Sequence, residues 1–145
     1  MFYDSYKDRK LTFIPKAIWT ENCEKPFHLS KDARQVGSSL LPDKLCRVDN
    51  KLIKDFKEKT IFVNCVDFSE WLLQNVKPFY NIVLKLDIEG AEYDVLWHLI
   101  RENTIKYIKK LYVEFHLEHL PFKSKIHHEL TNKLKSIGLP PLDWQ

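Results

Sequence analysis

The sequence contains very little glycine. Three of its 145 residues are glycine, which is about 2%, whereas globular proteins average ~7%. Gly37, Gly90 and Gly138 also lie far apart. The chain therefore has neither the glycine-rich turn of a dinucleotide-binding fold nor the phosphate loop of a nucleotide hydrolase. Functions that depend on such a loop within this sequence are excluded.

Basic residues are not concentrated in any part of the chain. Lys and Arg number 23 and Asp and Glu number 20, which gives a net charge of +3. The excess is +2 in residues 1–72 and +1 in residues 73–145. Proteins that bind nucleic acid usually carry a basic patch or stripe. We therefore expect no nucleic-acid partner.

The chain is also poor in cysteine and lacks long apolar runs. Cys23, Cys46 and Cys65 are odd in number and widely spaced, which favours reduced thiols over a disulfide framework or a zinc site. No apolar run approaches the ~20 residues of a membrane span. Met1 is not followed by the basic and then apolar pattern of a signal peptide. We therefore expect no membrane partner and a cytoplasmic location.

The length fits one domain, which we place at residues 1–145. Residues 11–19 favour a strand, and residues 20–29 are predicted to turn and return as a hairpin. Further strands are predicted at 60–66, 81–86 and 110–115, with helices beginning near Asp67, Ala91 and Ile126. The run at 81–86 is almost wholly apolar, as in a strand buried on both faces. The alternation of strands and helices predicts an α/β fold with a parallel sheet and right-handed crossovers.

Acidic residues and a histidine follow two of the predicted strands. Asp87 and Glu89 come directly after strand 81–86, and Glu114 and His116 end the strand at 110–115. Parallel sheets bind ligands beyond the carboxyl ends of their strands. If the two strands are neighbours, these four side chains face one crevice. Carboxylates at such a place are costly unless they are paired, solvated or used, so we take the four as candidate catalytic residues.

Other interpretations of these residues remain open. Glu92 fits the first turn of the following helix, where a negative charge interacts favourably with the helix dipole, and Glu89 has the same option. Asp87 and the neighbouring carboxylates suit Mg²⁺ or Ca²⁺, and the imidazoles after strand 110–115 are of the type that binds transition metals. The spacing does not match the helical histidine pair of a zinc protease. We expect no bound metal.

These residues are similar to those of a known family. The segment LKLDIEGAEYDVL at 84–96 and the segment LYVEFH at 111–116 resemble the FkbM family of S-adenosylmethionine-dependent methyltransferases. The shorter pieces IPKAIW and GSSLL, nearer the N-terminus, are also similar to that family. The resemblance extends from residue 11 to about residue 137. Its core consists of Lys85, Asp87, Glu89, Gly90 and Glu92, followed by a strand that ends in glutamate and histidine.

The resemblance implies a Rossmann-like methyltransferase fold with a mostly parallel sheet and helices on both faces. It also implies that S-adenosylmethionine lies across the strand ends and that a hydroxyl of a small molecule or a glycan is methylated. By position, the resemblance places Asp87 beside the methionine moiety and the reacting methyl group, with Glu89 in the same turn. Glu114 and His116 would lie on the acceptor side. Lys16 and Ala17 would lie near the adenine.

One part of the family pattern has no counterpart in the sequence. The first strand, the glycine turn after it and the acidic residue that binds the ribose are not found. The resemblance therefore implies a truncated version of the fold. We expect either a methyltransferase that forms a homodimer or is completed by a partner chain, or a catalytically inactive family member that serves as a binding or interaction module.

Overall fold

The computed structural model describes residues 11–31, 34, 37–48, 51–54, 56–57, 60–77 and 80–143. The strands are β1 (Ala17–Trp19), β2 (Cys23–Phe27), β3 (Cys46–Val48), β4 (Lys51–Ile53), β5 (Ile61–Asp67), β6 (Ile82–Leu86) and β7 (Ile108–Val113). The helices are α1 (Phe68–Asn75), α2 (Glu92–Arg101) and α3 (Ser124–Ser136), with short 3-10 turns at Ile105–Tyr107, Leu117–His119 and Pro121–Lys123.

The described strands form three small sheets. In the first, β5 is central and runs parallel to β1 and antiparallel to β2. β3 and β4 pair as an antiparallel hairpin, and β6 and β7 pair in parallel. The chain is therefore an α/β protein, as predicted. Its sheets are not mostly parallel, and that part of the prediction is wrong.

The mixed sheet follows from a short connection. Only residues 20–22 join β1 to β2, whereas a parallel crossover needs about a dozen residues or more. The chain therefore reverses, and β2 returns along the far side of β5, with Cys23 opposite Cys65 and Phe27 opposite Ile61. The predicted turn after Trp19 is present, but the predicted hairpin is wrong because β5 lies between β1 and β2.

The unit β6–α2–β7 matches the predicted succession of strand, helix and strand. Leu84 of β6 lies opposite Leu111 of β7, and both belong to the hydrophobic core. The other face of this sheet is open in the described part of the chain, where Val83 is 58% exposed and Lys85 and Lys110 are exposed too. The expectations of a strand buried on both faces and of helices on both faces are therefore wrong for this sheet.

The two edges of this sheet differ. The segment after α3 runs alongside β7, where Leu142 forms a parallel bridge with Tyr112. The Leu142 N–H donates to the carbonyl of Leu111 at 2.9 Å, and the Val113 N–H donates to the carbonyl of Leu142 at 3.1 Å. Among the described residues, β6 has β7 as its sole strand neighbour. Within the described ranges, one edge is therefore covered near Leu142 and the other has no paired strand.

α1 begins where the sequence predicts, and a glycine follows the end of α3. The Asp67 carboxylate accepts the Glu70 N–H at 3.1 Å and caps α1, which confirms the predicted N-cap. α3 is followed by Gly138 at φ +77°, and the Leu139 N–H donates to the carbonyl of Leu134 at 3.0 Å, as in a glycine-terminated helix.

Leucine dominates the core between the helices and the β6–β7 sheet. Its fully buried leucines are Leu72, Leu86, Leu96, Leu99, Leu111, Leu120, Leu130 and Leu134. None of the helices in the described ranges combines the length and the apolar character needed to cross a membrane.

Candidate functional site

The candidate site lies at the carboxyl ends of β6 and β7, which are neighbours as expected. Asp87 and Glu89 belong to the turn between β6 and α2, and His116 follows β7. The structure brings these three side chains together: one carboxylate oxygen of each acid and one ring nitrogen of His116 lie within 4.8 Å of one another.

His116 is at the centre of the group and is 8% exposed. Its Nε2 lies 3.4 Å from Oε2 of Glu89 and 3.9 Å from Oδ1 of Asp87. Its Nδ1 lies 3.0 Å from Oε1 of Glu92. The imidazole therefore bridges a buried carboxylate on one side and two more accessible carboxylates on the other.

Glu92 is fully buried, although it occupies the first position of α2. Its Oε1 accepts the backbone N–H of Ile88 and its Oε2 accepts that of Gly90, both at 2.9 Å. The carboxylate thus satisfies two N–H groups of the turn as well as the imidazole of His116. Sequence reasoning placed Glu92 correctly in the first helical turn but missed this role. The sequence pattern that could have indicated this role is a glutamate two residues after a glycine turn, at the first position of a helix with an apolar face.

A second residue missed by sequence reasoning is Lys44. Its side chain is 3% exposed, and its ammonium group contacts the Glu89 carboxylate and donates to the carbonyl of Gly37 at 3.0 Å. In the same loop, the Ser39 hydroxyl donates to the carbonyl of Glu89 at 2.7 Å. The loop that contains Ser39 and Lys44 therefore stabilises the turn that contains Glu89. Lys44 lies in the segment LLPDKLC, and no pattern in that segment predicts burial of the lysine side chain.

Replacing Lys44 with methionine is expected to lower the free energy of unfolding by about 2 kcal/mol, because the Glu89 carboxylate and the Gly37 carbonyl lose a common donor. Lys54→Met is the matched control. Lys54 pairs with Asp43 at 2.8 Å, but both side chains are more than 60% exposed, and exposed pairs contribute only about 0–1 kcal/mol. Urea unfolding of both variants gives the comparison. Equal losses would contradict a structural role for the Lys44 contact.

The two buried members of the site hold each other in the charged state. Burial acts to lower the pKa of His116, but the hydrogen bond and charge of Glu92, together with the charge of Glu89, raise this pKa above its ordinary value. Burial acts to raise the pKa of Glu92, but the contact with His116 and the backbone N–H of Ile88 hold it below its ordinary value. Glu92 and His116 therefore form an ion pair at mildly acidic pH.

The other predicted site residues lie apart from this group. Glu114 is exposed just after β7, and its backbone N–H donates to the carbonyl of Leu86 at 2.9 Å. Lys16 precedes β1 and Ala17 begins it, so both belong to the mixed sheet. Lys16 lines a separate cavity of about 180 Å³. The structure thus joins Asp87, Glu89 and His116, and it leaves Glu114, Lys16 and Ala17 outside their cluster.

Two carboxylates and an imidazole at this spacing are a donor set that suits a divalent cation. In this structure, however, the Lys44 ammonium contacts Oε2 of Glu89, and Nε2 of His116 lies 3.4 Å from the same oxygen. A metal ion bound there would have to displace one positive group and lie next to another. These positive groups therefore count against a metal ion at this oxygen of Glu89.

Comparison with known proteins identifies the family. The family described as "Methyltransferase FkbM domain" matches residues 7–138, and this range includes every residue of the candidate site. No curated protein and no solved structure shows a significant match to the chain. Because the family match covers most of the 145 residues, the chain belongs to the FkbM methyltransferase family.

Proposed function

We propose that the chain takes part in an S-adenosylmethionine-dependent O-methylation of a hydroxyl group on a small molecule or a glycan. One observation carries this proposal. In a chain of the FkbM methyltransferase family, Asp87, Glu89 and His116 meet at the carboxyl ends of two parallel strands, which is where α/β sheets bind ligands.

The charges of the site suit a cationic cofactor. When bound, S-adenosylmethionine supplies an activated methyl group on a positively charged sulfur. With the imidazole neutral, the carboxylates of Asp87, Glu89 and Glu92 exceed the ammonium groups of Lys44 and Lys85 by one negative charge. Asp87 is the most accessible of these carboxylates, with a side chain that is 38% exposed. It is therefore the group that we place beside the sulfonium.

His116 is the proposed base. If S-adenosylmethionine were bound beside Asp87, it would supply the methyl group and leave as S-adenosylhomocysteine, and Nε2 of the neutral imidazole would accept the proton that the acceptor hydroxyl loses. The imidazolium that results lies between Glu92 on its Nδ1 side and Glu89 on its Nε2 side. Both carboxylates stabilise the positive charge, so the protein's main tasks are alignment of the reactants and acceptance of the proton.

Adenine placement near Lys16 and Ala17 has separate support. The cavity of about 180 Å³ beside Lys16 is otherwise apolar. Phe68 and Trp71 both line it, and their rings stack with centroids 5.9 Å apart. Flat apolar cavities with aromatic walls suit a purine ring. Glu114, exposed after β7, remains our proposed contact for a polar acceptor.

The edge of β6, which has no paired strand among the described residues, supports the proposal of a second chain. An exposed strand edge is a template for pairing with another chain, and Val83 next to this edge is largely exposed. A homodimer or a completing partner chain is therefore part of the proposed function. A cytoplasmic location is proposed as well, in keeping with three free thiols at Cys23, Cys46 and Cys65.

Isothermal calorimetry with S-adenosylmethionine and with S-adenosylhomocysteine tests the proposal directly. We expect micromolar binding of both compounds, and Asp87→Ala is expected to weaken S-adenosylmethionine binding by about tenfold, which corresponds to the loss of ~1.4 kcal/mol. The matched control is Asp143→Ala, since Asp143 is exposed beyond α3 and its loss should leave the affinity unchanged. Sedimentation of the same samples measures the oligomeric state.

The outcomes separate the two candidate functions. Binding that Asp87→Ala weakens and Asp143→Ala does not would support the enzyme. The absence of binding heat at high protein concentration would contradict it. That result would favour the alternative, in which the chain is a family member that binds a partner without transferring a methyl group.

A further inference from the structure

We propose that Glu92 is a positioning residue for His116: its buried carboxylate holds the proton of the neutral imidazole on Nδ1, so that the lone pair of Nε2 faces the carboxylates of Asp87 and Glu89. This inference rests on the proposed function for its catalytic meaning, because Nε2 is the atom that would accept the hydroxyl proton. The geometry that carries it is independent of any cofactor.

The backbone of the site turn favours the ionised form of Glu92. Each of its two carboxylate oxygens already faces a backbone N–H, Oε1 that of Ile88 and Oε2 that of Gly90. Two backbone N–H donors favour the ionised form of a carboxyl group. Although burial acts to raise it, the pKa of Glu92 lies below its ordinary value because of its contact with His116 and the backbone N–H of Ile88. Glu92 is fully buried, so its charge is balanced by these donors and by His116 rather than by solvent. The side chain is therefore an ionised carboxylate, which can only accept hydrogen bonds.

The protonation of His116 follows from that of Glu92. Nδ1 of His116 lies 3.0 Å from Oε1 of Glu92, and a carboxylate oxygen at this distance requires a hydrogen on the nitrogen. When the imidazolium loses one proton, the proton on Nδ1 is retained and the proton on Nε2 leaves. The hydrogen bond made by one ring nitrogen thus decides which tautomer the other presents.

The other carboxylates near the ring lie on the Nε2 side but farther away, so they favour a proton on Nε2 less than Glu92 favours one on Nδ1. Asp87 and Glu89 lie on the Nε2 side at 3.9 and 3.4 Å, and they stabilise the doubly protonated ring. Lys44 contacts Glu89 and opposes that effect. The ring of His119 lies 6.2 Å from that of His116. Glu92 is the group with a hydrogen bond to Nδ1 among the described residues.

Nitrogen NMR of the protein labelled with ¹⁵N-histidine tests the proposal without a cofactor. A pH series is recorded, and His116→Gln assigns the resonances. Above the titration midpoint, we expect Nδ1 of His116 to show the shift of a protonated nitrogen and Nε2 that of an unprotonated one. Protonation of Nε2 in the neutral ring would overturn the proposal. This measurement needs only the wild-type fold.

Two variants separate positioning from charge. Glu92→Gln is expected to lower the titration midpoint of His116, because the amide carries no charge, and to weaken the preference for Nδ1–H, because a single amide oxygen remains to accept hydrogen bonds. Glu89→Gln is expected to lower the midpoint and to leave the Nδ1–H tautomer intact, because Glu89 lies on the other side of the ring. Loss of the Nδ1–H tautomer in Glu89→Gln, or an unchanged titration midpoint of His116 in Glu92→Gln, would contradict the role of Glu92. If Glu92→Gln does not fold, the wild-type spectrum and the spectrum of Glu89→Gln still show whether the neutral ring of His116 carries its proton on Nδ1.

Failure of this inference is distinguishable from failure of the proposed function. An Nδ1–H tautomer in a chain that binds no S-adenosylmethionine would uphold the role of Glu92 and reject the methyltransferase. Cofactor binding together with an Nε2–H tautomer would support the cofactor-binding part of the proposed function and reject the role of Glu92. If methyl transfer is measured, its rate in Glu92→Gln should depend on pH with a lower midpoint than in the wild type, a change that a merely structural role would not produce.

Discussion

Replacing Glu92 with alanine is expected to lower the free energy of unfolding by about 3–5 kcal/mol, the range for breaking a buried ion pair from one side. The variant leaves the N–H groups of Ile88 and Gly90 without their acceptor and deprives His116 of its partner. An unsatisfied buried donor costs about 1–3 kcal/mol. Because small domains are stable by only about 5–15 kcal/mol, this variant should unfold at much lower urea concentration.

The matched control is Asp94→Ala, two positions further along the same helical turn. Asp94 pairs with Lys123 at 2.9 Å, but its side chain is 41% exposed, so we expect a loss of about 0–1 kcal/mol. Circular dichroism during urea unfolding measures both variants. Similar losses would show that Glu92 acts only through its place near the helix N-terminus, as the sequence alone indicates.

The stability of the Glu92 and His116 pair should also depend on pH. His116 has a raised pKa in the folded state, so its contribution is fully present below its unfolded value and is lost as the pH rises through the folded value. Glu92 has a lowered pKa, so its contribution is present above its unfolded value and is lost as the pH falls through the folded one. The difference in stability between the wild type and Glu92→Ala should therefore be largest at mildly acidic pH.

Replacing Gly90 with alanine is expected to lower the free energy of unfolding by about 2–4 kcal/mol. Gly90 has φ +104°, a conformation that costs other residues about 1–3 kcal/mol. An added Cβ would also lie 2.7 Å from Cδ1 of Leu120 and 3.2 Å from Cδ1 of Leu41. Leu120 is fully buried and cannot move aside freely, so strain and crowding add to each other.

Gly138→Ala is the control for backbone strain alone. Gly138 has φ +77°, but an added Cβ would meet no atom within 4 Å, and we expect a loss of about 1 kcal/mol. Thermal unfolding of the two variants isolates the contribution of crowding at the turn. If both glycines proved equally replaceable, the close approach of Leu120 to the site turn would not be a feature of the protein in solution.

The part of the fold that carries the site could be predicted because its determinants are local. The apolar run of β6, the turn at Asp87 and the helical spacing of α2 follow one another within about 20 residues. Once β6 and β7 are parallel neighbours, the carboxyl ends of both strands meet by geometry. This is why Asp87, Glu89 and His116 come together as expected.

The features that could not be predicted depend on contacts between distant segments. Lys44 reaches Glu89 across 45 residues of sequence, and nothing in its own surroundings indicates burial. Glu92 looks like an ordinary acidic residue of a first turn until His116, 24 residues later, supplies its partner. The antiparallel β2 depends on β5, which lies more than 30 residues further along the chain. Local patterns carry no information about such pairings.

The segment after α3 makes the two edges of the β6–β7 sheet unequal. Leu142 bridges Tyr112 and covers the β7 edge at that point, whereas β6 has no second strand neighbour among the described residues. A sheet that can pair at one edge forms at most a pair with a second copy, whereas a sheet with two available edges can add molecules without limit. Release of the Leu142 segment would therefore make a second edge available and remove that limit on assembly.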